Sequence, residues 1–411
     1  MALRDYFFTK TETKKEEKKI EPDLVENFNL RNIELPMPKE HRGQEWVLWG
    51  QNNQFPLDLL DYKNGSATHN SIIEGKTSLI SGLGFMFGKT REESDLFLVE
   101  NWKLVPFWRK LDGVFTRVTR DFQIFGYASF EVIYSIDRTR IVDINWLDAC
   151  KVAPGKKENE WEEPECYYFC EDWSNTRKYP PRHIQAFNPN EDEVRQIVFI
   201  RGQENNMQYF SLPNYYAAIK WIKADMLMAE YNLAAINNGF SPSIVFKFYK
   251  KPTPDERRQN AEAIKAQHGG PKNAGKAIIL YADGKDLAPD IDTLDATNID
   301  QRLLQVSDQI TQQIITAHRC HPQLVGIQTP GKLGYSSELI QSWQIFDKMV
   351  IKPERKIILD HFKSVLIYNG VATVEIEDLT PINTDAAASG GQMKMSETNC
   401  PCEENQKNTL N

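Results

Sequence analysis

Ile219-Lys220-Trp221-Ile222-Lys223-Ala224-Asp225-Met226-Leu227-Met228-Ala229-Glu230-Tyr231-Asn232-Leu233-Ala234-Ala235-Ile236 decides how this chain is read. Ile219, Ile222, Met226, Ala229, Leu233 and Ile236 recur at alternating spacings of three and four, the period of a helix with one narrow apolar seam. Lys220, Lys223, Asp225 and Glu230 fall off that seam. Further along, 300–317 predicts a second helix with Leu303, Val306, Ile310 and Ile314 on one stripe and the amides Gln305, Gln309, Gln312 and Gln313 on the other side. A third helix is expected from Ser336-Ser337, which are good N-caps, with Glu338 in its first turn. Its stripe runs through Leu339, Trp343, Phe346 and Val350, then Ile357, Phe362, Val365 and Leu366. Pro353 interrupts it, removing a backbone donor, so a kink is expected there. Three seams this narrow are hard to bury in one small domain, and neighbouring copies of the chain are expected to cover them.

Between the first two helices lies a basic segment, 247–285, carrying Lys250, Lys251, Arg257, Arg258, Lys265, Lys272 and Lys276. It reads as a strand near Ile244-Val245-Phe246, a helix over 253–267, a turn at Gly269-Gly270-Pro271 and a strand over 277–281. Its charge fits either a phosphate-contacting patch or a solvated face. Upstream, Pro56 opens a short helix, 67–81 forms another that stops at Gly82, and 107–125 a third that stops at Gly126. Residues 129–135 and 140–146 alternate as a hairpin about Asp137-Arg138, and further strands are expected at 166–170 and 195–201. The fold class is therefore α+β. Residues 1–45, dominated by the mixed-charge run at 10–19, read as a mobile arm, and 381–411 as a polar, disordered tail.

The chain has 411 residues, enough for two or three domains, and its formal charge of −8 argues against a general nucleic-acid binder. Six cysteines are too few for a disulfide scaffold of this length. Met1-Ala2-Leu3-Arg4-Asp5 leads into charge, so no secretory leader is expected, and no run approaches the ~20 apolar residues of a bilayer span. A cytosolic protein with reduced thiols is expected.

Motifs that carry chemistry fall short. Gly75-Lys76-Thr77 and Gly88-Lys89-Thr90 resemble the end of a phosphate-binding loop, but Asn70 and Leu83 stand where its first glycine must curl the backbone. Cys166 and Cys170 share a strand face with His183 nearby, three ligands where zinc needs about four. They read as a half-buried pair, and Cys400 and Cys402 as an incidental pair in the tail. His318, Cys320 and His321 end the second helix, where histidines interact favourably with the helix dipole. No Gly-x-Ser-x-Gly or His-Glu-x-x-His pattern occurs, and no catalytic residue, cofactor or metal is expected.

Four blocks in a fixed order resemble tailed-bacteriophage portal proteins of the HK97-like type. They are Gly126-Tyr127-Ala128-Ser129-Phe130-Glu131-Val132; Asn237-Asn238-Gly239-Phe240-Ser241-Pro242 before Ile244-Val245-Phe246; Lys272-Asn273-Ala274-Gly275-Lys276 before Ile278-Ile279-Leu280; and Pro322-Gln323-Leu324-Val325-Gly326 before Gly334-Tyr335-Ser336-Ser337-Glu338. The sequence departs from the family in placing His321 before Pro322, where an apolar residue is usual. The resemblance implies a wing (46–212), stem helices (213–239 and 300–320), an inserted α/β clip (240–299), a tunnel-loop region (321–336), and a long kinked helix with a short crown (337–380).

It further implies a non-enzymatic ring of copies, twelve as a rule, at one capsid vertex of a virion assembled in the host cytoplasm. Double-stranded DNA would pass through it during packaging and ejection. The implied partners are the terminase motor and head–tail adaptor at the clip and the capsid and scaffold proteins at the wing, with no membrane. Gln328, Thr329, Pro330, Gly331, Lys332, Leu333, Gly334 and Tyr335 would form the DNA-facing loop. The inter-subunit seams would be Ile219, Ile222, Met226, Leu233 and Ile236 with Leu303, Val306, Ile310 and Ile314. The alternatives are another head–tail or minor capsid protein, or a nucleotide-driven DNA enzyme.

Overall fold

The computed structural model describes residues 36–101, 105–159, 162–202, 207–237, 245–248, 253, 278–281, 296–325, 336–371 and 373–379. In chain order these form α1 (Gln54–Gly65), α2 (Ala67–Ser81), β1 (Phe85–Phe87), α3 (Arg91–Glu100), α4 (Val105–Phe125), β2 (Tyr127–Tyr134), β3 (Ile141–Leu147), β4 (Val152–Pro154), β5 (Cys166–Phe169), β6 (Arg182–Ala186) and β7 (Arg195–Arg201). Then come α5 (Ile219–Asn237), β8 (Val245–Phe248), β9 (Ile278–Tyr281), α6 (Ala296–Ala317), α7 (Ser336–Phe346), α8 (Lys352–Tyr368) and β10 (Val374–Ile376). Among the described residues no helix is long and apolar enough to cross a membrane.

Six strands make one sheet in the order β3-β2-β7-β6-β5-β4, antiparallel throughout except for the β6–β7 pair. Alternation along β2 sorts its side chains. Ala128, Phe130, Val132 and Tyr134 enter the main core with Phe115 of α4 and Phe362 of α8, and the Phe130 and Phe362 rings stack at 4.3 Å. On the opposite face Tyr127 stacks on Phe199 at 5.5 Å. Gly126 lets α4 stop and β2 begin: its φ is +81°, and a Cβ there would stand 2.5 Å from the Leu212 carbonyl.

Three expectations are corrected. Residues 36–45 do not belong to an arm. Trp49 Nε1 donates to Pro36 O at 2.6 Å, Lys156 Nζ to His41 O at 2.7 Å, and Tyr168 Oη to Glu45 at 2.7 Å, so the chain is tied to the sheet from Pro36 onward. Val374–Ile376 do not lie in a crown. They pair antiparallel with β1, and Leu83 N bonds to Glu377 O at 2.9 Å, because Gly82 (φ +58°) turns the chain after α2 toward that strand. The stripe of the third helix is not left for a neighbour, since Trp343, Phe346, Val350, Phe362, Val365 and Leu366 fill the chain's own core.

The expected kink has a defined form. Asp347–Ile351 make one π turn between α7 and α8, immediately before Pro353. A proline ring crowds the carbonyl four residues back, here Met349, and lacks an N–H; the wider turn relieves both.

Candidate assembly surface

Helices α5 and α6 stand on α1 and α2, and their bases are fixed by polar groups. Ser66 caps α2, accepting from His69 N at 3.2 Å, and its hydroxyl donates to Asp225 of α5 at 2.6 Å. Helix α6 closes in a Schellman motif: Cys320 N reaches Ile315 O at 3.2 Å, Arg319 N reaches Thr316 O at 3.0 Å, and Arg319 sits at φ +55°.

That motif delivers His318 into the interior, where its Nε2 lies 2.9 Å from His69 Nδ1 and its ring stacks on Tyr215 at 5.2 Å. Burial holds both imidazoles well below their usual range, His69 at about 3. The dipole reading expected a charged histidine at this helix end; for His318 that is corrected, because a buried neutral ring carries no charge to the dipole. One N–H serves the bond between the rings, and the outward nitrogens, His69 Nε2 and His318 Nδ1, have no partner among the described residues.

A second anchor fastens α8. Buried Glu354 accepts from Lys76 Nζ at 3.0 Å and Gln123 Nε2 at 2.7 Å, both buried, and from the exposed Asn214 Nδ2 at 2.8 Å. The neighbouring Arg355 caps the end of α2, donating to Ile80 O at 2.9 Å and Leu79 O at 2.7 Å, and it pairs with Asp378. Lys76 of the first Gly-Lys-Thr is thus committed to an ion pair inside the protein. In the second, Thr90 caps α3 by accepting from Glu93 N at 3.2 Å, and Lys89 N donates to Glu93 at 2.7 Å, a capping box. Cys166 and Cys170 pack with Trp173 beneath β4 and β5, away from His318 and Cys320. Among the described residues no group of three or more side chains is arranged to hold a metal ion.

The predicted seam divides into two parts. Ile219, Ile222, Ile310 and Ile314 are 0–2% exposed, so the chain's own packing covers them and leaves a neighbour nothing to bury; this corrects their assignment as inter-subunit residues. Met226 and Leu303 are half-buried. Toward the C-terminal end of α5 and the N-terminal end of α6, Leu233 is 60% exposed, Ile236 58% and Val306 43%, joined by Leu227 and Leu304, which the expected seam did not include. Gln305, Gln309, Gln312 and Gln313 are all exposed. The tunnel-loop residues 328–335, and most of the clip (240–299) apart from the parallel pair β8–β9, lie outside the described residues.

The fold has counterparts. A chain from the neck of an empty gene transfer agent particle, computed with C6 symmetry, matches with a TM-score of 0.53 at 14% identity, covering 83% of this chain and 88% of that one. A chain from the virion of a native gene transfer agent particle matches at 0.50 and 12% identity, covering 83% and 88%. One from a native particle's neck, computed with C12 symmetry, matches at 0.50 and 15% identity, covering 81% and 87%. No curated protein matches the sequence. The model of the family described as phage portal protein matches residues 114–390, well over half of the chain, and the chain belongs to that family.

Proposed function

We propose that this chain is the subunit of a portal ring at one vertex of a virion, the channel for double-stranded DNA in packaging and ejection and the platform for motor and tail. The observation that carries the reading is the apolar end of the stem. Leu227, Leu233, Ile236, Leu304 and Val306 are open to solvent on two helices whose bases are already covered within the chain. Burying each contributes on the order of 1 kcal/mol, and a head-to-tail ring covers them on every subunit without needing a closed core per chain. The similar neck computed with C12 symmetry supports twelve copies.

In this reading the stem covers 213–239 and 300–320, the clip 240–299 meets the terminase motor and the head–tail adaptor, and the wing meets capsid and scaffold proteins. The exposed amides of α6 suit a channel through which DNA slides, since tight phosphate neutralisation opposes movement. Lys332, flanked by Gln328 and Tyr335, is the cation of the tunnel loop.

Light scattering and negative-stain imaging of the purified protein test the ring. Wild type forms closed rings, and Leu233→Asp with Ile236→Asp leaves a monomer with unchanged circular dichroism. A wild-type monomer at micromolar concentration overturns the reading. Lys332→Glu impairs DNA packaging while rings still form; normal packaging removes the loop assignment alone.

A further inference from the structure

An apolar cavity lies far from the stem, where α3 leans over β1 and the first turns of α4. It measures about 650 Å³, the size of pockets that take a drug-sized ligand or a pair of side chains. Its walls are Phe85 and Phe87 from β1, Leu98 from α3 and Trp108 from α4. The apolar surface continues outward, because Val99, which also lines the cavity, is 70% exposed. An isolated exposed aliphatic needs no explanation, but one continuous with an apolar concavity marks an interaction site.

The polar groups at this cavity are not equivalent. Asp112 is already engaged, accepting from Phe85 N at 2.8 Å. Arg109 also lines the cavity, is exposed, and forms no ion pair among the described residues. Nearby Lys110, by contrast, is taken by Asp143 at 2.8 Å and Asn145 at 2.5 Å. The indole N–H of Trp108, a residue only 4% exposed, has no acceptor among the described residues. The site thus combines apolar walls, an exposed cation without an ion-pair partner among the described residues and one unsatisfied buried donor, beside an Asp112 carboxylate that already accepts from Phe85 N.

We infer that this cavity docks a segment of a partner protein that presents an aromatic or large aliphatic side chain flanked by carboxylates. The apolar side chain enters between Leu98 and Trp108, and a carboxylate meets Arg109. The inference is independent of ring formation, since none of these residues lies on α5 or α6.

Fluorescence anisotropy with three fluorescein-labelled capped peptides tests it. Their cores are Glu-Phe-Leu-Glu, Lys-Phe-Leu-Lys and Glu-Ser-Ser-Glu. The first binds the wild-type protein at least about tenfold more tightly than either of the others, the equivalent of about 1.4 kcal/mol. Arg109→Glu reverses the preference between the acidic and basic apolar peptides. Val99→Asp weakens the first about tenfold. Both positions are exposed, and an unchanged unfolding midpoint shows that the variants fold. Equal binding of all three peptides, or no saturable binding of the first, overturns the inference. So does a Val99→Asp variant that changes assembled size while leaving peptide binding intact, for the cavity would then be a contact between copies.

Discussion

Replacing Lys76 by Met isolates what holds α8 to α2. The ammonium and carboxylate are 2% and 7% exposed and 3.0 Å apart, so neither is solvated when its partner is removed. Met fills nearly the same volume, and Glu354 keeps two amide donors, at 2.8 and 2.7 Å, but no counter-charge. Breaking a buried pair in this way costs about 3–5 kcal/mol, whereas removing both charges is often close to neutral. Urea unfolding at one fixed protein concentration is the assay, because self-association shifts the midpoint by mass action. Lys76→Met is expected to lose about 3–5 kcal/mol and Glu354→Gln a comparable amount. The Lys76→Met/Glu354→Gln double variant loses less than either, so the coupling exceeds about 3 kcal/mol. A Lys76→Met protein within about 0.5 kcal/mol of wild type, or strictly additive losses, refutes the claim that these groups form one desolvated unit.

Burial pushes the carboxyl of Asp121 up to about 8, although Trp146 Nε1 donates to it at 2.8 Å. A raised folded value contributes stability at low pH that is lost as pH climbs from about 4 through 8, so Asp121→Asn gains on wild type across that window and holds the gain above it; an unfolding difference that ignores pH contradicts this. The lowered histidines act in the opposite sense, contributing above about 6.5 and losing it as pH falls. The His69→Leu/His318→Leu variant should flatten the acid limb between pH 6.5 and 4, and an unchanged slope relative to wild type would show that the pair is not its source. Gly126→Ala is expected to cost more than about 2 kcal/mol, combining a left-handed backbone with the clash at Leu212 O, and a thermal melt near wild type would reject that.

Much of the architecture was legible because local signals and long-range packing agree. Gly82 and Gly126 stop their helices, β2 alternates, and Pro353 disturbs the third helix, each where residue chemistry says so. The start of α3 has a sequence signal, Thr90-x-x-Glu93, but it overlaps Gly88-Lys89-Thr90, which resembles the end of a phosphate-binding loop instead. The three-residue strands β1 and β10 are too short to show a period, and their pairing joins Phe85 to Ile376 across most of the chain. Burial of Lys76 against Glu354, and of His318 against His69, was not readable, because a residue type says nothing about a partner hundreds of positions away. The same limit led the seam to be drawn too far toward the helix bases: periodicity shows that a stripe is apolar but not what covers it.

The pairing of β1 with β10, and of Phe130 with Phe362, has a consequence for synthesis. When a ribosome has released everything through β7, the sheet is complete but one face of its hydrophobic layer is still untranslated, since α8 and β10 emerge last. The nascent chain must therefore expose that layer while α5 and α6 are made, and the final core can close only once β10 has left the exit tunnel. Helices α5 and α6 thus leave the exit tunnel before the core beneath them is locked, and emergence of β10 is the earliest point at which a finished protomer exists.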